Sequence, residues 1–346
     1  MTLPGRVLVV APHATRTGST TVLLALLRGA GHLLQHELAV QLLSGGPLAG
    51  PLQSFGPPLR VGEEPVAVLA NTAVAAADLA RFPRSMPTAV YLHESGEVLA
   101  TLPLAGRRAL GDADLVVCVS PGIRDAAVAF GVDPDRAVVL PPIVPEPDPP
   151  ESGAVDAARQ ACGATAGTRL VLGCGEARWA KGADLFVQVA GRLGDRPDLR
   201  FAWVGRRTRP FSRLLDLDVE ALALGDRLRW VGEVETAVPF LAAASVVVAP
   251  SRDDAQPLVP LEAALVGAPT AAFAVGGLAD LAAIGGAVAV AYPDTEALAR
   301  AVAGLLDDAA AAAAAVDAAR VRVRSLQAPS VVIPEFVALV DALAGP

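Results

Sequence analysis

Residues 140–153 read LPPIVPEPDPPESG and separate two halves of the sequence with similar patterns. The stretch holds six prolines, several acidic residues and no hydrophobic periodicity, which is typical of a linker. Short apolar segments alternate with Ala- and Leu-rich segments before this stretch, and the same alternation starts again after it. Because 346 residues suffice for two domains, the sequence predicts two similar domains joined by a proline-rich linker.

The apolar segments on both sides of the linker end in polar residues, which indicates parallel strands buried on both faces and separated by helices. In the first half, strands are expected at 6–12, 66–71, 88–94 and 114–120. In the second half, they are expected at 169–175, 200–205, 228–232, 245–251, 269–274 and 287–293. The predicted fold class is α/β, with two Rossmann-like, doubly wound lobes facing a cleft.

These patterns also set the predicted domain boundaries. They are a first Rossmann-like domain at 1–145, a linker at 146–165, a second Rossmann-like domain at 166–325 and a C-terminal helix at 326–346. Whether that last helix crosses back to the first lobe is left open. The alanine tract near 308–319 predicts one helix, with Asp307 and Asp308 at its start, where the helix dipole favours acids.

Composition excludes several classes of protein. A net charge of −8 without a basic stripe argues against nucleic acid as a partner. Cys118, Cys162 and Cys174 cannot all pair and form no C-x-x-C, which argues against a disulfide framework and fits a reducing compartment. The N-terminal apolar run is too short for a signal peptide, and the uncharged residues 263–279 are broken by glycine and proline. We expect a cytoplasmic monomer or homodimer without a transmembrane segment, and contact with a membrane surface stays open.

Residues 176–184, EARWAKGAD, contain Lys181, the only lysine among 28 basic residues. The stretch follows a predicted strand and precedes an amphipathic helix, so Arg178 and Lys181 are expected at a helix N-terminus. That position favours anions, and cations there are unfavourable without one. An ammonium group is also not equivalent to a guanidinium. The pattern favours a phosphate site, and a solvated loop cation is the alternative.

Residues 250–269, PSRDDAQPLVPLEAALVGAP, contain the adjacent acids Asp253 and Asp254, and Glu262 is the sole charged residue between Asp254 and Asp280. Pro257 and Pro260 fit together only at a helix start, which places that start at about 257–258. Asp254 then lies in the preceding loop, and Glu262 lies in the second turn, in a stretch without other charges. A carboxylate there needs donors such as sugar hydroxyls, an arginine or backbone amides. The alternatives are helix capping by Asp254 and a structural Arg pair for Glu262.

The first half offers weaker candidates, each directly after a predicted strand. In residues 13–20, HATRTGST, Gly18 lets the backbone approach a ligand, although the full G-x-G-x-x-G of dinucleotide sites is missing. His93, followed by Glu94, could act as an acid, a base or a hydrogen-bond donor. Asn71, at the end of another predicted strand in this half, is a candidate of the same kind. Ligands bind at the carboxyl ends of strands in such sheets, but an ordinary turn and a structural histidine remain the alternatives.

The stretch PSRDDAQPLVPLEAALVGAP, with the later GGLADL, resembles the retaining glycosyltransferases of family 4, which have the GT-B fold. Their signature is Glu-x7-Glu within P-S-x-x-E-G-F-G-L-x-x-L-E-A, then G-x-P-V and G-G-x-x-E. The register puts Asp254 on the first acid and Glu262 on the second. GCGEARWAKGADLFVQVA is similar to the family's G-R-x-x-x-x-K-G segment, with Lys181 on its lysine. The resemblance covers nearly the whole chain and is weaker in the first half, where TRTGST, LHE and the segment at 113–142 carry it.

The resemblance implies a metal-independent, retaining hexosyltransferase. It would move sugar from a UDP-, GDP- or dTDP-sugar to a hydroxyl of a polysaccharide, lipid or secondary metabolite, with no cofactor besides that co-substrate. Lys181 and Arg178 would stabilise the leaving diphosphate where charge develops. The implied catalytic residues are Lys181, Arg178, Asp254 and His93. The implied donor-binding residues are Glu262, Gly18, Ala255, Gln256, Pro257 and Leu258, and the acceptor-side residues are Asn71 and Glu94. No residue is predicted to bind metal.

This chain departs from the family pattern at several positions. Glu176 stands where the family has arginine, so that phosphate contact is lost or passes to Arg178. Asp254 is one methylene shorter than glutamate, and Ala255 and Pro257 replace loop glycines. These changes leave open an altered donor preference or a catalytically inactive homologue that binds a nucleotide sugar. A phosphorylase or epimerase of the same fold is a further open alternative, whereas a two-lobed solute-binding protein and a dehydrogenase are less favoured.

Overall fold

The computed structural model describes residues 5–345, apart from the side chain of Glu97. The first four residues, which belong to the stretch interpreted above as no signal peptide, lie outside the described residues. The chain divides into two compact units, one of Met1–Pro145 with Ser325–Pro346 and one of Glu146–Arg324. Each unit contains a six-stranded parallel sheet, which confirms the predicted α/β class.

The first unit has the strand order β2-β1-β3-β4-β5-β6. Its strands are β1 (Arg6–Ala11), β2 (Glu37–Leu42), β3 (Ala67–Asn71), β4 (Thr88–Leu92), β5 (Leu115–Cys118) and β6 (Ala137–Val139). Its helices are α1 (Gly18–Ala30), α2 (Ala49–Gln53), α3 (Ala73–Ala76), α4 (Gly96–Thr101), α5 (Leu104–Asp112) and α6 (Pro121–Ala129). The sequence prediction missed β2 and β6, the two edge strands. Edge strands are less buried, so β2 carries polar residues and β6 is only three residues long.

The second unit has the strand order β12-β11-β10-β7-β8-β9. Its strands are β7 (Arg169–Cys174), β8 (Leu199–Val204), β9 (Leu228–Gly232), β10 (Val246–Ala249), β11 (Thr270–Phe273) and β12 (Val288–Val290). Its helices are α7 (Ala154–Ala161), α8 (Ala183–Arg192), α9 (Phe211–Ala221), α10 (Val238–Ala243), α11 (Leu258–Val266), α12 (Gly276–Ala283), α13 (Thr295–Asp307) and α14 (Ala309–Leu326). All six strands of this unit were predicted from the apolar segments.

Alternate residues along β7 belong to two separate hydrophobic clusters. Val171 packs with Phe186 of α8, whereas Leu170 and Leu172 pack with Ala158 of α7. Successive side chains of a strand point to opposite faces, so helices cover both faces of this sheet. The polar carboxyl ends of its strands are therefore left as the place where loops can form a site.

The predicted linker contains more structure than its prolines suggested. Residues 140–150 have no regular secondary structure, but Ile143 and Val144 are buried. Residues 154–161, inside the predicted linker of 146–165, form α7, which packs against α10. Burial of Ala158 on that helix gives this part of the chain a place in the core of the second unit.

The alanine tract forms the single helix α14, as predicted. Asp308 caps its start, with Oδ1 accepting from the backbone N–H of Ala310 at 3.0 Å and of Ala311 at 2.9 Å. Asp307, expected at the same start, is instead the last residue of α13 and pairs with Arg169 and Arg196.

The chain ends with α15 (Pro329–Ala344), which packs against α1 in the first unit. By length and composition, the stretch Ala309–Ala344 is apolar enough to cross a membrane, with 22% of its most apolar window buried. Two helices share this stretch, because the helical pattern breaks at residues 327–328. The first of them also carries four charges, at residues 317, 320, 322 and 324.

Candidate active site

The loop that follows β7 packs directly against the loop that follows β10. After Cys174 the chain passes through a 3₁₀ turn at Trp179–Lys181 and enters α8. Gly182 between them has a left-handed φ of +67°, and a Cβ atom there would lie 1.9 Å from the carbonyl oxygen of Pro250. Only glycine meets both conditions, because it has no Cβ and adopts positive φ without strain. The glycine after the lysine thus brings the two loops into contact.

Lys181 and Asp254 meet where these two loops touch. Lys181 Nζ donates to Asp254 Oδ2 at 2.5 Å, and Ser251 Oγ donates to the same oxygen at 3.0 Å. The lysine side chain is 27% exposed and the aspartate 10%. The helix α11 begins at Leu258, as predicted, but no side chain caps it, so Asp254 is not a capping residue. The lone lysine and the first acid of the motif are one partly buried ion pair.

The double glycine of GGLADL lets a third segment approach this pair. Gly276 has φ +47°, and a Cβ there would lie 2.0 Å from the carbonyl oxygen of Asp254. A Cβ on Gly277 would lie 3.0 Å from Gln256 Oε1 and 3.1 Å from the carbonyl oxygen of Ala255. The start of α12 therefore lies against the loop 254–258, while Asp280 on that helix is exposed.

Glu262 lies in the second turn of α11, as predicted. Within residues 5–345 its carboxylate has no hydrogen-bond or ion-pair partner, so the structural arginine pair, which was the alternative interpretation, is not formed. Burial raises the pKa of this carboxyl group above its usual range. Glu262 is partly buried, and a carboxylate without a donor is unfavourable away from water, which makes this residue a candidate for a ligand contact.

The charges of Glu262 and Lys181 both act on the thiol of Cys174. Burial first, and then the charge of Glu262, raises the pKa of Cys174 to about 12, whereas the charge of Lys181 acts in the opposite direction. Cys174, Lys181 and Asp254 also line a cavity of about 30 Å³ with Trp203 and the first turn of α11. That volume holds about one water molecule, so a sugar ligand has to bind above it, on the open side of these groups.

The arginines near Lys181 differ in whether they have a partner within the protein. Glu176 pairs with Arg206, whose Nη2 donates to Glu176 Oε1 at 3.1 Å. Arg178 is exposed, and its guanidinium has no partner among the described residues. Sequence reasoning missed Arg206 and Ser251, although each is among the first polar residues after a strand, which was the signal used for the other candidates.

In the first unit, the structure brings together three of the predicted segments. His93 Nε2 lies 3.3 Å from Asn71 Oδ1, and Asn71 Nδ2 donates to the backbone carbonyl of Ser19 at 3.4 Å. Ser19 follows Gly18, the first residue of α1. Asn71 is the last residue of β3, His93 directly follows β4, and Ser19 lies after β1, and these three strands are neighbours in the sheet. Burial lowers the pKa of His93 to about 3, so this imidazole is neutral at physiological pH.

Glu94 binds the backbone of its own unit. Its Oε2 accepts from the N–H of Ala73 at 3.0 Å and of His93 at 3.1 Å. Burial raises the pKa of this carboxyl group, and these hydrogen bonds act against that effect. The carboxylate therefore holds the start of α3, beside Thr72, whose φ is +104°. Its predicted contact with an acceptor stays a prediction.

Metal-ligating side chains are not grouped around this site. Across residues 5–345, no three His, Cys, Asp or Glu side chains lie close enough together to hold a metal ion. The three cysteines are free, and Cys118 and Cys162 are buried.

Comparison with solved structures gives the class of fold. HepE from Anabaena, crystallised with UDP and glucose, superposes with a TM-score of 0.85 over 98% of this chain and 100% of its own, at 17% identity. The fold is that of the GT-B glycosyltransferases, with two Rossmann-like lobes, as predicted. At that identity the likeness shows the fold alone.

Sequence comparison gives a narrower result for the second unit. Residues 168–308, which contain Lys181, Asp254 and Glu262, match the family described as "Glycosyl transferases group 1". The lipopolysaccharide core biosynthesis mannosyltransferase LpsB of Rhizobium meliloti is 36% identical over 152 residues, 42% of this chain. The D-inositol 3-phosphate glycosyltransferase of Acidothermus cellulolyticus is 31% identical over 196 residues, 51% of this chain. The match spans 43% of the length of each relative.

Proposed function

We propose that this protein is a retaining glycosyltransferase of the family 4 type. It transfers a hexosyl group from a UDP-, GDP- or dTDP-sugar to a hydroxyl acceptor, without a metal ion or other cofactor. The observation that carries the proposal is the convergence of Lys181, Asp254 and the unpartnered Glu262 within the segment that matches glycosyl transferases group 1. The relatives named as glycosyltransferases, and a structural neighbour that binds UDP and glucose, support this substrate class.

The Lys181–Asp254 pair supplies two complementary groups for this reaction. As the bond from the anomeric carbon to the diphosphate oxygen breaks, negative charge develops on the diphosphate and positive charge on the sugar. Lys181 moves from Asp254 to the diphosphate, where Arg178 adds a second cation. Asp254, released from the lysine, accepts hydrogen bonds from sugar hydroxyls. The acceptor oxygen bonds to the anomeric carbon on the face that the diphosphate leaves, and the departing phosphate oxygen takes the acceptor's proton.

Glu262 holds the nucleotide in this proposal. Ribose hydroxyls are donors, and two of them satisfy a buried carboxylate that has no donor in the described part of the chain. The loop from Ala255 to Leu258, through Gln256 and Pro257, contributes backbone groups to the sugar and phosphate beside the start of α11. The residues do not distinguish uracil, guanine and thymine as the base.

The first unit supplies contacts to sugar or acceptor. Gly18 allows close approach of the backbone at the start of α1, and Asn71 and His93 present neutral hydrogen-bonding groups. A neutral imidazole suits a hydroxyl contact better than proton donation at pH 7. Polysaccharide, lipid and secondary-metabolite acceptors all fit this chemistry. Location in the cytoplasm and a monomeric or homodimeric state remain predictions.

A two-stage experiment tests the proposal. A thermal-shift panel of UDP-, GDP- and dTDP-sugars should raise the melting temperature with the cognate donor, since a ligand that binds only the folded state stabilises it. Transfer from that donor is then followed by NMR of the anomeric centre, with and without EDTA. Retained configuration and an EDTA-insensitive rate are expected. An inverted product or loss of the rate in EDTA contradicts the corresponding part of the proposal.

A second candidate function is nucleotide-sugar binding without turnover. It is favoured by two observations, because Asp254 neutralises Lys181 and Glu176 occupies Arg206 in the present structure. This candidate predicts a thermal shift with a donor but neither transfer nor hydrolysis. Incubation of the donor without any acceptor separates a further case, since an epimerase changes the sugar under that condition and a transferase does not.

A further inference from the structure

Arg252 fastens together the two loops of the candidate site. Its Nη1 and Nη2 donate to the two carboxylate oxygens of Asp184, at 2.8 and 2.6 Å. Nη1 also donates to the backbone carbonyl of Trp179 at 2.7 Å, and the guanidinium carbon lies 4.8 Å from the centroid of that indole ring. The arginine side chain is 11% exposed. One guanidinium from the loop after β10 thus binds both the loop after β7 and the first turn of α8.

This contact lies close to the Lys181–Asp254 pair in both loops. Arg252 precedes Asp254 by two residues, and Trp179 precedes Lys181 by two residues. Between the two contacts, the backbone N–H of Arg252 donates to the carbonyl of Ala180 at 2.8 Å. Two residues of extended chain span at most about 7 Å. Only a short, hydrogen-bonded segment separates Arg252 from Lys181 and Asp254. A displacement of the Arg252 side chain therefore displaces these two residues as well.

The guanidinium of Arg252 is committed to protein groups. Its two terminal nitrogens bind the Asp184 carboxylate and the backbone carbonyl of Trp179. The Asp184 carboxylate raises the pKa of Arg252 above its usual value. Arg178 shows the opposite character, because it is exposed and has no partner among the described residues. Arg252 is thus suited to holding the site and Arg178 to binding a ligand.

We propose that Arg252 is a positioning residue, which with Asp184 and Trp179 holds the two loops in the register where Lys181 meets Asp254. The catalytic part of this inference rests on the proposed function. A bidentate arginine–carboxylate pair fixes geometry as well as charge, and a lysine at position 252 reproduces only the charge. A misplacement of about 1 Å in a catalytic group can cost about 10²-fold in rate.

The single lysine of the chain gives a test that needs no enzyme activity. Labelling with [¹³C]lysine yields one side-chain signal, that of Lys181. We expect Asp184→Asn to move the Cε signal toward its position in Asp254→Asn, because both variants release the ammonium group. A Lys181 signal that stays at the wild-type position in Asp184→Asn overturns the proposal.

An arginine–carboxylate ion pair at the amino end of β7, opposite to the end that carries the candidate site, provides the control. Arg169 begins β7, and its Nε and Nη2 donate to Asp198 Oδ2 at 2.8 and 2.5 Å. Asp198→Asn removes the same kind of charge from the same kind of pair. We expect this variant to leave the Lys181 signal and the transfer rate unchanged. If Asp198→Asn shifts the Lys181 signal as much as Asp184→Asn does, then any lost ion pair in this unit has the same effect on Lys181. That result also overturns the proposal.

Kinetics then separate positioning from a merely structural role. Asp184→Asn should lower kcat about 10²-fold, while the affinity for the nucleoside diphosphate of the cognate donor, measured by calorimetry, stays close to that of the wild type. In a Lys181→Ala background the same change should cost little more, because both act on one group. The inference is contradicted if the rate losses of Asp184→Asn and Lys181→Ala multiply in the double variant, or if Asp184→Asn is fully active. A wild type that transfers no sugar refutes the proposed function instead, and the lysine signal still decides whether Arg252 positions Lys181.

Discussion

The two strand-end clusters, one in each unit, are built on the same kind of sheet but differ in charge. In the second unit, Lys181, Asp254 and Glu262 bring charges together, and Glu262 has no donor within the described chain. In the first unit, His93 and Asn71 are neutral and bonded to each other. Burial thus leaves one cluster with an unsatisfied charge and the other satisfied. The comparison teaches that strand-end position locates candidate residues, whereas the unsatisfied charge indicates which of them await a ligand.

Lys181→Ala breaks the charged cluster and has the largest expected effect. Losing one preorganised contact to the developing charge typically costs about 10²–10³ in kcat. The melting temperature should change little, because Lys181 is 27% exposed and its pair with Asp254 lies at a loop. Steady-state kinetics with the cognate donor, together with a thermal melt, check this.

Lys181→Arg sharpens the same test, since it keeps the charge. The planar guanidinium is larger and differently shaped than an ammonium group, so we expect only partial recovery of the rate. Near-normal transfer by Lys181→Ala would remove the diphosphate role of this residue.

Gly182→Ala tests whether the contact between loops creates the charged cluster. The alanine Cβ would lie 1.9 Å from the Pro250 carbonyl oxygen, so the loops must separate. We expect a loss of stability of about 1–3 kcal/mol and a fall in kcat of about 10²-fold, measured by urea denaturation and steady-state assays.

Gly167→Ala is the control for backbone strain alone. Gly167 has φ +80° and no atom within 4 Å of an added Cβ. It should lower stability without lowering kcat. Equal effects of the two substitutions on kcat would exclude the loop contact as the cause.

Glu262→Gln tests the unpartnered charge and should produce opposite changes in binding and stability. Removing a charged hydrogen-bond acceptor should weaken nucleotide binding by about 1.5–3 kcal/mol, measured by calorimetry. The folded-state pKa of Glu262 is raised above 4.5, so in wild type the stability falls as pH rises from about 4.5 through that pKa. The variant lacks this loss. It should be more stable than wild type at pH 7 and similar at pH 4, and equal stability at both pH values would argue that the carboxylate is well solvated.

His93→Gln tests the neutral cluster and has the smallest expected effect. Glutamine keeps hydrogen-bonding groups, so the change in kcat/KM should correspond to about 1 kcal/mol or less. The pKa of His93 is lowered from 6.5 to about 3, so the stability of wild type falls as pH decreases across that window, where the unfolded state binds the proton first. The variant should lose less stability there. An NMR titration that places the His93 pKa near 6.5 would contradict the neutral interpretation.

Much of the fold was predictable because it depends on local patterns. Apolar segments such as 169–175 indicated buried strands, and Pro257 with Pro260 fixed the start of α11 within a residue. The edge strand β2 was missed because Glu37 and Gln41 interrupt its apolar residues, and β6 was missed because it is only three residues long. The helix α7 was hidden by the prolines beside it, and its burial depends on packing against α10.

For the site, the sequence by itself determined which residue types stand at strand ends. A lone lysine, an acid before a helix and an isolated acid inside that helix could all be identified from the sequence. Only the tertiary structure decided their partners. Asp254 lies 73 positions from Lys181, Arg206 lies 30 from Glu176, and Arg252 lies 68 from Asp184. Such pairs form because β10 and β8 both lie beside β7 in the sheet. Strand order follows from how whole helices and strands pack, and no local pattern of residues encodes it.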